Sequence, residues 1–317
     1  MRFPEPFERM WLFLCRQDAR FTQLAIRWLT HHNGRAKTPI VAARGPIVSL
    51  TTYGRRLRTV HLTLESIATG SVLPSRIILW LDDSDVFRNV PRPLRRLEER
   101  GLEIKLSQNY GPHTKYYPFL ESTDTFETPL VTADDDVLYP KTWLSGLVSS
   151  FNGELSAISC YRAYVMRIAD RTIAPYRSWG PCRSVEPNFL HFAAGSYGCI
   201  YPPPFLKELQ AAGAEFRQLC PKADDVWLHV NAIRAGVKVK QITKRSPTYP
   251  LLPETQDHGL YLSNIGLGQN DIQIRNTYKP ADIALLLSHC RHDSGPAVLK
   301  RSSRVAELEH TPIESSE

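Results

Sequence analysis

Three adjacent carboxylates, Asp134, Asp135 and Asp136, follow directly on the apolar run Leu130–Thr132, and Tyr139-Pro140 closes the turn after them. Like charges held that close repel one another and push each other's pKa up unless a cation compensates. Hard oxygen donors suit Mg²⁺ or Mn²⁺, which commonly shares its shell with a substrate's phosphates. A solvated acidic turn that only caps the next helix would need one Asp rather than three. A second pair, Asp224 and Asp225, opens the segment KADDVWL, where either carboxylate can serve as a helix N-cap favoured by the helix dipole. Transfer from a metal-bound diphosphate to a hydroxyl also needs a general base for the acceptor's proton, and Asp225 is our choice for it. Lys115, in HTKYYP, offers counter-charge for a diphosphate or is a solvated loop lysine, and Arg55 or Arg56 offers a two-pronged phosphate contact. Tyr161, Tyr164, Tyr176 and Trp179 form an aromatic group that suits a sugar platform or core packing equally well.

These residues need elements to position them, and the hydrophobic pattern supplies an alternating series. Pro46–Thr52 and Arg76–Leu81 are short apolar runs that read as buried strands. Between them Val60, Leu64, Ile67 and Ala68 recur at helical spacing, ending near Gly70 and Pro74. A helix over Leu94–Arg100 with Gly101 at its end, a strand Leu102–Leu106 and the run Leu130–Thr132 continue the series. Strands and helices alternating at this pace predict an α/β fold with a mainly parallel, Rossmann-like sheet flanked by helices, here without a GxGxxG loop. The acidic triplet then stands at a strand's carboxyl end, where such sheets bind ligands. Further on we expect a helix over Thr142–Ser150, strands Leu155–Tyr161 and Ala193–Tyr201, a helix Asp224–Ala235 stopped by Gly236, and a strand Val237–Ile242. The expected organisation is an amphipathic helical extension and linker over residues 1–44, the linker being the polar stretch Asn33–Arg44. A main domain follows over 45–285, with a nucleotide-binding half to about 140 and an acceptor half from 141, and then a flexible tail over 286–317.

Composition narrows the partners. The 317 residues are 42% hydrophobic and 22% charged, ordinary for a globular chain long enough to bury its own core. Lysine and arginine number 39 against 32 acids, so the net charge of +7 favours anionic partners such as sugar phosphates or lipid head groups. A nucleic-acid-binding protein is the non-enzymatic alternative, but neither a helix-turn-helix pattern nor an RNP-like motif is present, and no nucleic acid is expected. The six cysteines are scattered with no CxxC, which argues for a reducing compartment and against a zinc ribbon. No run approaches the apolar length that spans a bilayer and no standard signal peptide is recognisable, so a cytoplasmic location is expected. Residues 7–29 carry Trp11, Leu14, Cys15, Leu24, Ala25, Trp28 and Leu29 at helical spacing, with Arg16, Arg20 and Arg27 between them. That stripe packs on the main domain or lies peripherally on the inner face of the plasma membrane.

PIVSLTTYGRR, RIILWLDDSD, LVTADDDVLYP and ADDVWL, in this order over residues 46–242, resemble bacterial glycosyltransferases of the GT-A fold, in the family-2-like group of inverting enzymes. The resemblance implies a nucleotide-sugar donor bound at Thr51, Thr52, Tyr53 and Arg55, with Asp82 or Asp83 near the base. It implies a DxD-type motif at Asp134–Asp136 holding ribose and a Mn²⁺- or Mg²⁺-bound diphosphate, with Asp136 as metal ligand alongside Asp134, and His258 in QDHGLY completing the shell. Asp224-Asp225 stands in for the family's Glu-Asp pair, with Asp225 as base, and Gly195 to Gly198 for a segment that lets sugars approach the backbone. A QxxRW motif is absent, so extrusion of a polymer is not expected, and the acceptor is a glycan or glycolipid of the cell envelope. A sugar-1-phosphate nucleotidyltransferase is the enzymatic alternative, though Thr51–Arg58 contains only Gly54 where such enzymes carry a glycine-rich phosphate loop.

Overall fold

The computed structural model describes residues 22–152, 154–253, 255 and 268–293. Residues 22–35 are helical (α1). They are followed by β1 (Ile47–Thr51), α2 (Val60–Ala68), β2 (Arg76–Leu81), α3 (Ser84–Arg88), α4 (Arg92–Glu98), β3 (Leu102–Leu106), α5 (Tyr117–Glu121), β4 (Leu130–Thr132) and α6 (Trp143–Phe151). The second half runs β5 (Ala157–Cys160), β6 (Ala163–Val165), β7 (Ile168–Ala169), β8 (Thr172–Ile173), β9 (Gly180–Pro181), β10 (His191–Ala193), β11 (Cys199–Tyr201), α7 (Pro203–Ala211), α8 (Phe216–Leu219), α9 (Asp224–Arg234), β12 (Lys238–Gln241), α10 (Gln269–Thr277) and α11 (Pro280–Asp293).

Seven strands form the central sheet in the order β12-β5-β11-β4-β1-β2-β3. β1 pairs in parallel with β2 and β4, β2 with β3, and β5 with β12, while β11 alone runs antiparallel to both of its neighbours. This is the mainly parallel, helix-flanked α/β sheet expected from the sequence. The alternation of side chains along β2 shows why its residues are apolar from Ile77 on. Ile77, Leu79 and Leu81 enter one core with Val60, Leu64 and Ile67 of α2 and Leu94 and Leu97 of α4. Ile78 and Trp80 enter the other, with Phe119 of α5, Phe205 of α7 and Val226 and Val230 of α9.

The pairing brings several chain segments to one edge. β1, β2 and β4 are parallel, so their carboxyl ends emerge together; β11 is reversed, so the turn before Cys199 emerges there too, and Cys160 at the end of β5 is registered against Cys199.

Four expectations are corrected. The single strand over Ala193–Tyr201 is two, β10 in a small antiparallel sheet with β6 and β9, and β11 in the main sheet. The Gly195–Gly198 turn divides them, with positive φ at Tyr197 and Gly198. The polar stretch Asn33–Arg44 is not a free linker, because helix runs to residue 35, Asn33 bonds buried Glu65 at 2.9 Å and Ile40 is fully buried. The early part of the tail is helical to Asp293, with Leu286 in the core; residues 294–317 lie outside the described residues. The helix expected from Leu94 starts at Arg92, with Pro91 at its N-cap.

Candidate active site

The shared sheet edge opens into a cavity of about 1020 Å³. Asp134, Asp135 and Asp136 reach it because β4 is three residues long and is locked between β1 and β11. The turn is held from behind by the Tyr139 hydroxyl, which accepts from the Asp134 backbone N–H at 2.9 Å. Asp224 and Asp225 reach it because α9 begins at this edge. Lys115 ends a 3-10 turn, Gly111–Lys115, whose last carbonyl accepts a 2.7 Å hydrogen bond from Ser49 in β1. His113 inside that turn bonds the Tyr116 hydroxyl and the Cys220 carbonyl, each at 2.8 Å, and stacks on Phe216. Burial drives its pKa down to about 3. A neutral imidazole therefore ties the turn that carries Lys115 to the loop that leads into α9.

Two cations hold the acids together. Lys115 Nζ pairs with Asp134 and lies 3.9 Å from Asp224, so it joins the triplet to the helix head. Burial alone would lower its pKa, but Asp134 and Asp224 outweigh that and raise it. Arg56 sets Nη1 2.8 Å from Asp135, Nη2 3.1 Å from Asp136, and donates from Nη2 to the Thr255 carbonyl at 2.9 Å. Asp135 also accepts from the Thr52 hydroxyl at 2.7 Å, and its backbone carbonyl accepts from Thr63. The middle acid thus fixes the turn, while Asp134 pairs with Lys115 and Asp136 with Arg56 at the cavity.

Negative charge still exceeds what these cations balance. The Asp136 carboxyl is pushed up to about 6, by burial first and then by Asp134, with Arg56 pulling back. Asp225 is pushed up to about 7, by burial and then by Asp224. Among the described residues no three His, Cys, Asp or Glu side chains converge as a metal cage. Two carboxylates on one turn, facing a cavity and one of them with a raised pKa, are instead the partial donor set through which Mg²⁺ or Mn²⁺ binds when water and phosphate oxygens supply the rest. The residues present therefore fit a divalent cation shared with a ligand.

The expected nucleotide contacts divide. Thr51, Tyr53 and Asp82 line the cavity, and Asn109 donates to Asp82 at 2.6 Å beside it. Thr52 is buried and serves Asp135 instead. Asp83 does not line the cavity, because its carboxylate caps α3 by accepting from Asp85 N–H at 2.8 Å and Val86 N–H at 3.1 Å. Arg55 is exposed and does not line the cavity; Arg56 takes the inward position. Of the aromatic group, Tyr164 and Tyr176 line the cavity while Tyr161 and Trp179 belong to the core. His258 lies outside the described residues. The sequence reading missed Asn109, whose adjacency to Asp82 comes only from β2–β3 pairing. It also missed Arg162 beside the Gly195–Gly198 turn.

No family model matches the sequence, and no curated protein matches it significantly. Several solved structures are similar to it at low identity. The mannosyltransferase PcManGT from Pyrobaculum calidifontis, solved with GDP-Man and Mn²⁺, is 15% identical with a TM-score of 0.48, over 87% of this chain and 76% of its own. TarS 1–349 of S. aureus, solved with UDP-GlcNAc, is 14% identical with a TM-score of 0.47, over 78% of this chain and 72% of its own. GalNAc-T7, solved with UDP, GalNAc and Mn²⁺, is 11% identical with a TM-score of 0.45, over 71% of this chain and 48% of its own. At such identities and scores, function has to be read from the site itself.

Proposed function

We propose that this chain is a glycosyltransferase that moves a sugar from a nucleoside-diphosphate donor to a hydroxyl of a glycan or glycolipid of the cell envelope, inverting the anomeric carbon. The reading rests on one juxtaposition: an acidic turn at a strand end and a carboxylate pair at a helix head line one cavity, with the Lys115 cation between them. Binding a diphosphate and deprotonating a hydroxyl call for those two acidic groups on either side of the reacting carbon.

In this reading the nucleotide lies toward Thr51, Tyr53, Asp82 and Asn109. Asp134 and Asp136 would hold a Mn²⁺ or Mg²⁺, which would supply a positive charge to offset that of the diphosphate. Lys115 stays cationic, since its pKa is raised, and can donate hydrogen bonds to the same oxygens. Asp225 takes the proton from the acceptor hydroxyl as that oxygen attacks the anomeric carbon from the face opposite the diphosphate. A carboxyl raised to about 7 by burial and by Asp224 is matched to that role near neutral pH. Tyr164 and Tyr176 give the acceptor sugar an aromatic wall.

Asp225→Asn tests the assignment. Donor affinity should be unchanged while turnover falls by about 10²-fold or more. An equal loss of donor affinity would make Asp225 a binding residue and remove the base from the scheme.

A peripheral position on the inner face of the plasma membrane fits what is described of the N-terminal stripe. Leu24 and Trp28 of α1 are 60% and 51% exposed while Leu29 is 4% exposed, so the helix packs one edge on the domain and keeps apolar side chains outside. Residues 7–21, the rest of that stripe, lie outside the described residues.

A further inference from the structure

Among the described residues five cations line the cavity: Arg56 and Lys115 are engaged by aspartates, Arg217 donates to Gln108 and lies over the Tyr110 ring, Lys222 stands beside Pro221, and Arg162 faces the Gly195–Gly198 turn without an acid partner. No carboxylate lies within ion-pair distance of it among the described residues. Its Nε donates to the Ser246 hydroxyl at 3.1 Å, and its guanidinium carbon stands 4.3 Å from the centre of the Tyr197 ring. Those two contacts fix the plane of the guanidinium and leave both terminal amino groups without a hydrogen-bond partner among the described residues. The other donors of that planar fork are the ones that grip phosphate or carboxylate in two places at once.

The ring beneath Arg162 is held at a conformational cost. Tyr197 has φ +77°, in the left-handed region that side chains other than glycine rarely occupy. It is kept there by Trp143 Nε1, which donates to the Tyr197 carbonyl at 2.7 Å, and by Tyr249, whose ring centre is 4.9 Å away. Such strain persists only where surrounding structure enforces it, and here its product is a rigid aromatic seat for one cation at the cavity wall.

Sheet order gives the side of the cavity. Asp82 and Asn109 stand at the ends of β2 and β3, at one extreme of the sheet, whereas Arg162 follows β5 near the other. Arg162 and Asp225 share Tyr176 as a neighbour: burial and then Asp225 raise the Tyr176 phenol, and Arg162 pulls it back.

We propose that Arg162 anchors an anionic group, phosphate or carboxylate, carried by the acceptor close to the hydroxyl that reacts. This rests on the transferase reading above and adds the acceptor's chemical class to it. A neutral acceptor filling the same space would strip water from Arg162 and leave its donors unpaired, so the residue selects against neutral sugars as well as for anionic ones.

The test uses the full chain with Mn²⁺ and a saturating nucleoside diphosphate, which fills the donor side. Methyl β-glucoside, its 6-phosphate and methyl β-glucuronide are then titrated and read by added thermal shift. Wild type should bind at least one of the two anionic glycosides about tenfold or more tighter than the neutral one, and which of them wins tells phosphate from carboxylate. Arg162→Gln should erase that preference while keeping the affinity for the diphosphate, and Arg162→Lys should restore part of it, which separates recognition from damage to the fold. Equal or absent binding of the three glycosides, or a preference that survives in Arg162→Gln, overturns the proposal. A parallel loss of diphosphate affinity in Arg162→Gln would move the residue to the donor side and also overturn it. Failure of wild type to bind any nucleoside diphosphate would instead strike the transferase reading, and is read in a separate arm.

Discussion

Arg56 is a residue on which the acidic turn depends, because among the described residues it pairs with both Asp135 and Asp136. Removing it as Arg56→Met leaves a buried carboxylate without its cation, a change of about 3–5 kcal/mol in stability. Arg56→Lys should recover only part of that, since one ammonium cannot span two carboxylates and the Thr255 carbonyl. Chemical denaturation of both variants checks the order, and equal stability of Met and wild type would contradict it. Asp225 gives a prediction of opposite sign. Its native carboxyl holds a proton up to about pH 7 that the unfolded chain releases near pH 4. Native protein therefore binds more protons across that window, and stability falls as pH rises through it. Asp225→Asn should accordingly melt higher than wild type at pH 8, with the gap closing toward pH 4, while wild-type turnover declines as pH falls through about 7. A lower melting point for the variant at pH 8 would refute the raised carboxyl. At this scale residue type was legible and facing was not. Three consecutive aspartates raise the expectation of a cation site wherever they point, but Arg55 and Arg56 sit in a 3-10 turn with no periodicity to say which looks inward. Asp82 and Asp83 are likewise adjacent, and only the capping geometry of α3 separates the ligand-facing one from the structural one.

At the scale of elements, the glycines around the site separate strain from contact. Gly198 has φ +102°, and a Cβ there would meet the Trp143 ring at 2.8 Å, whereas Gly54 has φ +57° with open space around it. Gly54→Ala should thus cost only backbone strain, about 1 kcal/mol, and Gly198→Ala distinctly more, together with turnover, because it shifts the turn that seats Arg162. Comparable melting points for the two variants would contradict that ranking. Glu65 joins more elements than any sequence pattern suggests. On α2, fully buried, it accepts from Asn33 of α1 at 2.9 Å and from Arg100 after α4 at 2.5 Å, while Arg100 Nε donates to the Thr38 carbonyl. Glu65→Ala should lower stability by about 3 kcal/mol or more by orphaning Arg100; a loss under about 1 kcal/mol would show that the network contributes nothing. Strands β1, β2 and β4 were readable because each is a short, mainly apolar run between polar breaks, and β3 because its apolar and charged residues alternate. Asn33–Arg44 read as linker because its polar residues are satisfied by partners far along the chain, and β10 and β11 read as one strand because nothing apolar is missing between them, only the left-handed turn.

On the scale of the whole molecule, no helix among the described residues is long and apolar enough to cross a membrane. The proposed membrane contact is through the N-terminal stripe, so the full chain should sediment with vesicles of anionic lipid and be released by salt. A chain starting near Lys37 that binds vesicles equally well would refute that anchor. The second half of the chain was the least legible, since its cavity wall is assembled from β5, the Gly195–Gly198 turn and the head of α9, brought together by the pairing of β5 with β11 and β12. The proposed function puts a donor diphosphate at the acidic turn, and the most direct measurement is the thermal shift of the full chain with UDP, GDP and dTDP, each with Mn²⁺ and with EDTA, beside the matching monophosphates. A ligand binding only the native state at a hundredfold excess over its Kd stabilises it by about 2.7 kcal/mol, which for a chain of this size raises the melting temperature by about 4 °C. We expect a shift of that size for one diphosphate, lost in EDTA and far smaller for its monophosphate. A shift that ignores the metal and is equal for mono- and diphosphate would contradict the account, leaving Asp134–Asp136 as a structural turn held by Arg56 and Lys115.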